Sequence, residues 1–398
     1  MRKNMTRPRT AAAIALLLAG SAALTACGGA RSEPSATKAD GSTAPSAPPV
    51  ENPIVTTYDG GLYVLDGTTL KVAEDIPLAG FNRVNPAGDD RHVMVSTATG
   101  FRVMDAVGRR LTDVEFKGAK PGHVVRHAGR TVLFADGTGE VTVFDPKDLG
   151  DTKPQAETYS SAHAHHGVAI QLADGELLTT LGTEEKRAGI TVLDKDREEI
   201  VRSEECPGVH GEATARDEAV VIGCEDGALI YRDGAVKKVS SPDAYGRIGN
   251  QAGSDASPVV LGDYKKDKDA ELERPEQVSL IDTVTGKLRL VDLGTSYTFR
   301  SLARGPHGEA LVLGTDGRIH VIDPSTGKVT RRIAALGSWQ EPLDWQQPRP
   351  ALFVRDTTAY VSDPAHRKLL AIDLASGERS ASVTLPKAVN EVSGVTAH

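Results

Sequence analysis

The sequence predicts an all-β protein: a β-propeller, most simply of eight blades, in which a strand at the C-terminus completes the first blade. A short apolar run that ends in aspartate occurs eight times, with 39 to 50 residues between successive closing aspartates: Asp66, Asp105, Asp145, Asp194, Asp233, Asp282, Asp323 and Asp373. Repeats of about forty residues, built of short strands and glycine turns, are typical of propellers. A seven-bladed ring with one irregular insertion is the alternative architecture.

The two ends of the repeat region predict how the ring closes. The first repeat begins near Ile54 without an inner strand, whereas residues 389–398 form a strand-like segment that no further repeat follows. Pairing these two segments would complete the first blade and remove both free sheet edges. We therefore expect one propeller domain over residues 54–398.

The first 53 residues have a different composition. Residues 1–26 combine four basic residues with an apolar stretch, and Leu-Thr-Ala before Cys27 resembles the lipobox of bacterial lipoproteins. We expect a signal peptide over 1–26, lipidation of Cys27 and a flexible tether over 27–53. The protein would then lie outside the cytoplasmic membrane, in the cell envelope, and contact the membrane through the lipid anchor only. An ordinary secretory signal with a chance cysteine is the alternative.

Charge narrows the range of partners. After removal of residues 1–26 the chain keeps 42 basic and 54 acidic residues, a net charge of −12. Such a charge argues against nucleic acid and anionic lipid surfaces as partners and favours cations. We expect a monomer.

Two cysteines remain in the body of the chain. Cys206 and Cys224 are close in sequence, and in an oxidising compartment one disulfide is the simplest interpretation. A cysteine-based zinc site is the alternative, but no Cys-x-x-Cys spacing supports it.

Three histidines occupy matching positions in consecutive repeats. His123, His166 and His210 each stand at the start of an inner strand, within one or two residues of register. The inner strands of neighbouring blades begin at the same mouth of the central channel, so three imidazoles are expected within reach of one ion. Zinc accepts three neutral histidine nitrogens plus a carboxylate or water. Imidazole also suits copper and nickel, so the residue types leave those two metals open.

Other residues near these positions are weaker candidates. His163 and His165 precede His166 in the segment Ser-Ala-His-Ala-His-His-Gly and are expected as further ligands or as an entry relay. Glu212 and Asp174 are possible carboxylate partners, as ligands or as acceptors for a ring N–H. Of the remaining histidines, His127 is expected deeper in the channel, and His398 is the terminal residue. The other four are expected to have structural roles: His92, His307, His320 and His366.

Several motifs together resemble the AztD family, the extracytoplasmic zinc metallochaperones that accompany AztABC zinc transporters. They are Pro-Gly-His at 121–123, His-His-Gly at 165–167, CPGVHGEA at 206–213 and GCEDG at 223–227. The resemblance implies a β-propeller that binds zinc and delivers it to the solute-binding protein of a zinc ABC importer. It also implies ligands at His123, His166 and His210, assisted by His163 and His165, and a Cys206–Cys224 disulfide around the His210 strand. A lipid anchor and the lack of a histidine-rich N-terminal tail depart from a periplasmic member.

Three classes of function are compatible with the sequence. A zinc chaperone fits a histidine cluster at a channel mouth. A metal-dependent propeller hydrolase would need an acid–base partner, for which only Glu212 and Asp174 are available, and a metal-free interaction scaffold is the third class. The chain contains no nucleophile elbow, phosphate loop or cofactor fingerprint. We therefore expect a protein that is not an enzyme.

Overall fold

Each aspartate-ending run forms a strand in a separate antiparallel sheet, and the computed structural model, which describes residues 48–396, contains eight such sheets. The inner strands of most neighbouring sheets contact one another around a central channel. The predicted eight-bladed propeller is confirmed, and the seven-bladed alternative is wrong.

The strands of the eight blades follow in chain order. Blades 1 to 4 contain β1 (Ile54–Tyr58), β2 (Gly61–Leu65) and β3 (Val72–Pro77); β4 (Arg83–Pro86), β5 (His92–Ser96), β6 (Gly100–Asp105) and β7 (Arg110–Lys117); β8 (Pro121–His127), β9 (Arg130–Ala135), β10 (Glu140–Phe144) and β11 (Ala156–Ser160); and β12 (Ala169–Gln171), β13 (Leu177–Gly182), β14 (Arg187–Leu193) and β15 (Glu199–Ser203).

Blades 5 to 8 contain β16 (His210–Thr214), β17 (Val220–Cys224), β18 (Asp226–Arg232), β19 (Ala235–Ser240) and β20 (Gly246–Arg247); β21 (Gln251–Ala252), β22 (Val259–Gly262), β23 (Gln277–Asp282) and β24 (Lys287–Asp292); β25 (Leu302–Arg304), β26 (Ala310–Leu313), β27 (Arg318–Ile322) and β28 (Val329–Ala334); and β29 (Leu352–Arg355), β30 (Thr358–Asp363), β31 (Lys368–Asp373) and β32 (Arg379–Thr384). The last strand, β33 (Val389–Gly394), pairs with β1 and is the inner strand of blade 1. This is the predicted closure.

The repeated aspartate has a local structural cause. In seven of the eight repeats its carboxylate accepts the N–H of a residue two or three positions further on, and so closes the turn into the outer strand. Aspartate favours such turns because its short side chain can replace a backbone acceptor. In Asp373, for example, these hydrogen bonds lower the pKa of the carboxyl group. The motif that identifies the repeat is thus a turn signal rather than a functional site.

Apolar packing holds neighbouring blades together. The middle strands are almost fully buried, whereas outer strands such as β3 and β32 alternate between exposed and half-buried residues. One continuous apolar cluster joins blades 3, 4 and 5 and includes both cysteines of the body. The three blades that carry the register-matched histidines therefore share one core.

Helical structure is minor in the described chain. It consists of three single-turn 3₁₀ helices, Pro146–Asp148, Arg216–Glu218 and Pro364–His366. None of the helices within residues 48–396 has the length and apolar character needed to cross a membrane.

The predicted signal peptide, Cys27, most of the predicted tether and His398 lie outside the described residues. The predicted tether also included residues 48–53, and part of this stretch packs on the propeller. Val50 is buried and its N–H donates to the carbonyl of Val107, while the carbonyls of Asn52 and Pro53 accept hydrogen bonds from Arg355.

Candidate metal centre

Three histidines from consecutive blades meet at one mouth of the channel. His123 is the third residue of β8, His166 lies three residues before β12, and His210 is the first residue of β16. One nitrogen from each ring lies within 4.8 Å of the other two. The ring centroids are 4.9 to 5.5 Å apart. We call these residues the histidine triad.

Two members of the histidine triad lie in β-bulges. The pairing of β8 with β9 shifts register between Pro121 and Val124, and that of β16 with β17 shifts between His210 and Glu212. Gly211, with φ +71°, makes the second bulge possible: a Cβ there would lie 2.3 Å from Gln251 Oε1. Bulges re-aim side chains near functional sites. Here both occur where the inner strand starts and a histidine enters the channel.

A carboxylate that the sequence did not single out orients His166. Asp136 follows β9 in the neighbouring blade, and its Oδ2 lies 2.5 Å from His166 Nδ1. Its Oδ1 accepts the N–H of Gly167 at 3.4 Å. Gly122 makes room for this carboxylate, because a Cβ there would lie 2.1 Å from Asp136 Oδ1. A carboxylate accepts from an imidazole N–H, so His166 Nδ1 carries the hydrogen and Nε2 presents its lone pair.

A backbone carbonyl orients His210 in the same way. His210 Nδ1 lies 2.5 Å from the carbonyl oxygen of Gly249, which can only accept. The buried carboxylate of Asp263 holds this turn in place by accepting the N–H of Gly249 at 2.6 Å and that of Asn250 at 3.0 Å. The Nε2 of His210 therefore also presents a lone pair.

The two lone pairs face each other. His166 Nε2 and His210 Nε2 are 2.9 Å apart, a distance at which two unprotonated nitrogens repel unless a proton or a metal cation lies between them. Burial, together with the neighbouring imidazoles, lowers the pKa of His210 to about 3 and that of His123 well below its usual range. The neutral, metal-binding form of these two rings is favoured at neutral pH.

The structure does not bring His163 or His165 into the triad, so their predicted role as assisting ligands is not supported. His163 is exposed on the loop. His165 is buried, and both its ring nitrogens are engaged: Nδ1 with the carbonyl of His163 and Nε2 with Thr180 Oγ1, each at 2.9 Å. Its ring packs edge-on against Phe134. His165 anchors the loop from which His166 projects.

The two carboxylates expected from the sequence are also placed elsewhere. The carboxylate of Asp174 accepts the N–H of Glu176 in its own turn. Glu212 lies inside the channel, where burial raises its pKa to about 8 while Arg126 opposes this shift. Neither belongs to the cluster that contains the triad. The contacting carboxylate is Asp136, which in the sequence is indistinguishable from an ordinary turn aspartate.

The other described histidines have partners of their own or lie apart from the triad. His127, the last residue of β8, pairs with Glu218 at 2.6 Å. His92, His320 and His366 pair with Asp89, Asp316 and Asp363, and the backbone N–H of His307 bonds to Glu309. These contacts agree with structural roles.

Cys206 and Cys224 form the predicted disulfide, with Cα atoms 4.9 Å apart, so the alternative of a cysteine zinc site is wrong. Both cysteines are fully buried in the core shared by blades 3 to 5. The bond ties the segment that leads into β16 to the end of β17. It therefore braces the strand that begins with His210.

Comparison with known proteins identifies a protein of similar sequence. No family model matches the chain. The zinc chaperone AztD of Citrobacter koseri is 22% identical over 292 residues, which cover 71% of this chain and 67% of the relative. The sequence relative is thus named a chaperone rather than an enzyme.

Solved structures show the same fold. Apo AztD of Citrobacter koseri superposes with a TM-score of 0.74 at 19% identity and covers 86% of this chain and 96% of its own. The dihydro-heme d1 dehydrogenase NirN is a more distant match, with a TM-score of 0.55 at 15% identity over 86% of this chain and 78% of its own. The chain is thus similar in sequence to the zinc chaperone AztD and shares the propeller fold of its solved structures, in line with the resemblance seen in the motifs.

Proposed function

We propose that this protein is an extracytoplasmic zinc metallochaperone that holds one Zn²⁺ at the histidine triad and delivers it to the solute-binding protein of a zinc ABC importer. One observation carries the proposal. The Nε2 atoms of His166 and His210 face each other at 2.9 Å, while their Nδ1 atoms are engaged by Asp136 and Gly249. A cation between these nitrogens relieves the repulsion of the lone pairs.

The donor set favours zinc. Zinc binds neutral imidazole nitrogens, and on a tetrahedral ion at ~2.0–2.1 Å two ligand nitrogens stand about 3.3 Å apart. The 2.9 Å separation of the two Nε2 atoms needs only a small expansion to reach that value. The Asp136–His166 contact is the carboxylate–histidine arrangement that commonly supports a zinc ligand. Copper and nickel also accept imidazole, so they are the competing ions to include in a titration.

The position of the triad favours transfer. Three protein ligands leave one coordination position for water or an incoming ligand. His166 is 45% exposed, so a ligand from an acceptor protein can approach the ion from the solvent side. A chaperone must exchange its ion, and an open three-histidine site permits exchange without unfolding of the protein.

The expected signal peptide and lipid anchor favour a site of action in the cell envelope. The expected lipid on Cys27 would hold a monomeric propeller near a transporter in the same membrane. The sequence relative from Citrobacter koseri carries the name zinc chaperone, which agrees with the proposed role in zinc binding and delivery.

Zinc titration tests the binding step. We expect the purified protein to bind one Zn²⁺ per chain, His166→Ala to lose this binding, and His163→Ala to keep it. His163 is the matched control because it stands on the same loop, is exposed and lies outside the triad. Absence of binding tighter than micromolar in the wild type, or equal losses in both variants, would contradict the proposal.

A transfer assay tests the delivery step. Zinc-loaded protein is mixed with the metal-free solute-binding protein of a zinc importer, and the metal content of each is followed. We expect transfer to exceed the rate at which zinc is lost to a chelating dye alone, because direct exchange does not require the free ion. Equal rates would reject delivery while leaving zinc binding intact.

A further inference from the structure

The remaining five blades line the other side of the same channel mouth. Their inner strands begin with residues that surround a cavity of about 180 Å³, which we call the arginine cavity. Its polar side chains come from blades 2, 6, 7 and 1: Arg83 and Asn85, Asn250, Arg300, and Glu391. None of these residues belongs to the histidine triad.

The carboxylate in this cavity is fully engaged. Oε1 of Glu391 accepts from Arg83 Nε and from Arg300 Nη2, both at 3.0 Å, and Oε2 accepts the N–H of Val84 at 3.1 Å. The Glu391 side chain is only 8% exposed. One carboxylate therefore faces two guanidinium groups, which leaves one surplus positive charge in the cavity.

Hydrogen-bond donors are also in surplus. The side chain of Arg300 is 93% buried; its two Nη atoms bond to Asn390 and Glu391, and its Nε has no partner among residues 48–396. Arg83 uses only Nε, and its 42% exposed side chain leaves both Nη groups without a protein partner in the described chain. The Nε of Arg300 has almost no accessible surface, so the Nη groups of Arg83 are the donors that an added acceptor can reach.

Neighbouring groups fix the arginines in place. The ring of Phe299 contacts both Arg300 and Arg349, with each guanidinium carbon 5.0 Å from the ring centroid. Arg349 is paired with Glu341 and adds no net charge. Burial lowers the pKa of Arg300 to about 10. Because this value is still well above 7, the guanidinium group is charged at neutral pH.

We propose that the arginine cavity binds one small oxyanion, a carboxylate or a phosphate. Guanidinium groups present paired N–H donors that match the oxygens of both anion classes. The volume of about 180 Å³ is below the ~300–1,000 Å³ of pockets for drug-sized ligands, which restricts the occupant to a small molecule. The inference goes beyond zinc binding and does not depend on it.

Titration calorimetry on metal-free protein tests this site, after dialysis to remove any polycarboxylate chelator that would compete. Inorganic phosphate and malonate are the two probes, in a chloride buffer. We expect saturable binding of one anion per chain for at least one probe, and the probe that binds identifies the anion class. Arg83→Gln should weaken this binding by about tenfold or more, because it removes a charged donor pair.

Two further variants separate a loss of the anion site from a general loss of folding. Arg91→Gln is the matched control, because Arg91 is 50% exposed, pairs with a buried carboxylate, Asp105, and does not line the cavity. It should bind the anion as the wild type does. Asn85→Asp keeps the shape of its side chain but adds a negative charge, and should also weaken binding. Absence of saturable binding of both probes to the wild type, or equal losses in Arg83→Gln and Arg91→Gln, would overturn the proposal.

Discussion

The two sides of the channel mouth differ in the kind of hydrogen-bonding group that has no partner, which is an acceptor on one side and a donor on the other. On the histidine side, contributed by blades 3 to 5, the ring hydrogens of His166 and His210 are used by Asp136 and Gly249, and lone pairs converge. On the other side, the lone pairs of Glu391 are used by Arg83 and Arg300, and N–H donors remain.

This difference shows how one fold prepares two kinds of site. The backbone supplies the same element on both sides, the start of an inner strand that faces the channel. The choice of side chains then decides whether surplus acceptors or surplus donors meet. Converging acceptors suit a cation, and converging donors suit an anion.

Removal of one member of the histidine triad should have the largest effect, because it should abolish tight zinc binding on one side of the mouth and leave anion binding on the other side unchanged. His123→Ala takes away a nitrogen that lies within 4.8 Å of the other two ligand atoms. We expect zinc affinity to fall by more than ~100-fold, beyond the range caused by changes to residues that only support the ligands. Competition with a chelating dye measures the change. Anion binding in the arginine cavity should stay the same, and zinc affinity within threefold of the wild type would remove His123 from the site.

The disulfide should stabilise the histidine side specifically. Replacement of both Cys206 and Cys224 by alanine releases a constraint between residues 18 positions apart. The loop-entropy relation gives a loss of about 3 kcal/mol in the free energy of unfolding. Urea denaturation measures it, and reduction of the wild-type protein should produce a similar loss. No loss in either experiment would show that the shared core alone supports this side.

The carboxylate behind His166 should have a smaller effect on zinc binding. Asp136→Asn keeps the shape of the side chain but weakens its hold on the Nδ1 hydrogen of His166. We expect zinc affinity to fall by ~10–100-fold, as for other residues that orient metal ligands. Asp174→Asn is the control, since Asp174 caps a turn elsewhere and should leave zinc affinity unchanged. Equal affinities in the two variants would deny Asp136 a supporting role.

The smallest effect should appear in the pH dependence of stability. The folded-state pKa of His210 is about 3, below the ~6.5 of an unfolded chain, so between these values the unfolded state binds the extra proton. The contribution of His210 to the stability of the metal-free protein should therefore become less favourable as the pH falls below ~6.5.

His210→Gln isolates this contribution. Between pH 7 and pH 4.5 the change in the free energy of unfolding should be more unfavourable for folding in the wild type than in this variant, by on the order of 1 kcal/mol. Buried Glu212, with its raised pKa of about 8, favours the folded state as the pH falls and so opposes the effect of His210. Because Glu212 is present in both proteins, its contribution cancels when they are compared. A larger loss in the variant would contradict the assignment of a depressed pKa to His210.

Much of the fold could be predicted because its signals are local. Apolar runs and turn aspartates repeat along the chain, and seven of the eight aspartates close their own turn. Ring closure was also predictable, since an unmatched first repeat and an unmatched last strand complement each other. The positions of His123, His166 and His210 followed from the same register, which carries equivalent residues of neighbouring blades to one mouth.

The partners of the triad could not be predicted in this way. Asp136 reaches His166 from the adjacent blade, and Gly249 reaches His210 through a turn that Asp263 holds. No local pattern marks these contacts. His165 illustrates the same limit, because two adjacent histidines in one loop have opposite environments, one buried between Thr180 and Phe134 and the other at the channel.

The sequence by itself determined the eight-fold repeat, the closing strand and the register that carries three histidines to one mouth, because strand period and turn chemistry act over a few residues. Only the tertiary structure decided which nitrogen of His166 and of His210 keeps its lone pair, and that surplus arginine donors gather opposite them. Those properties depend on which side chains from different blades come within hydrogen-bond distance, and that distance is set by packing around the ring.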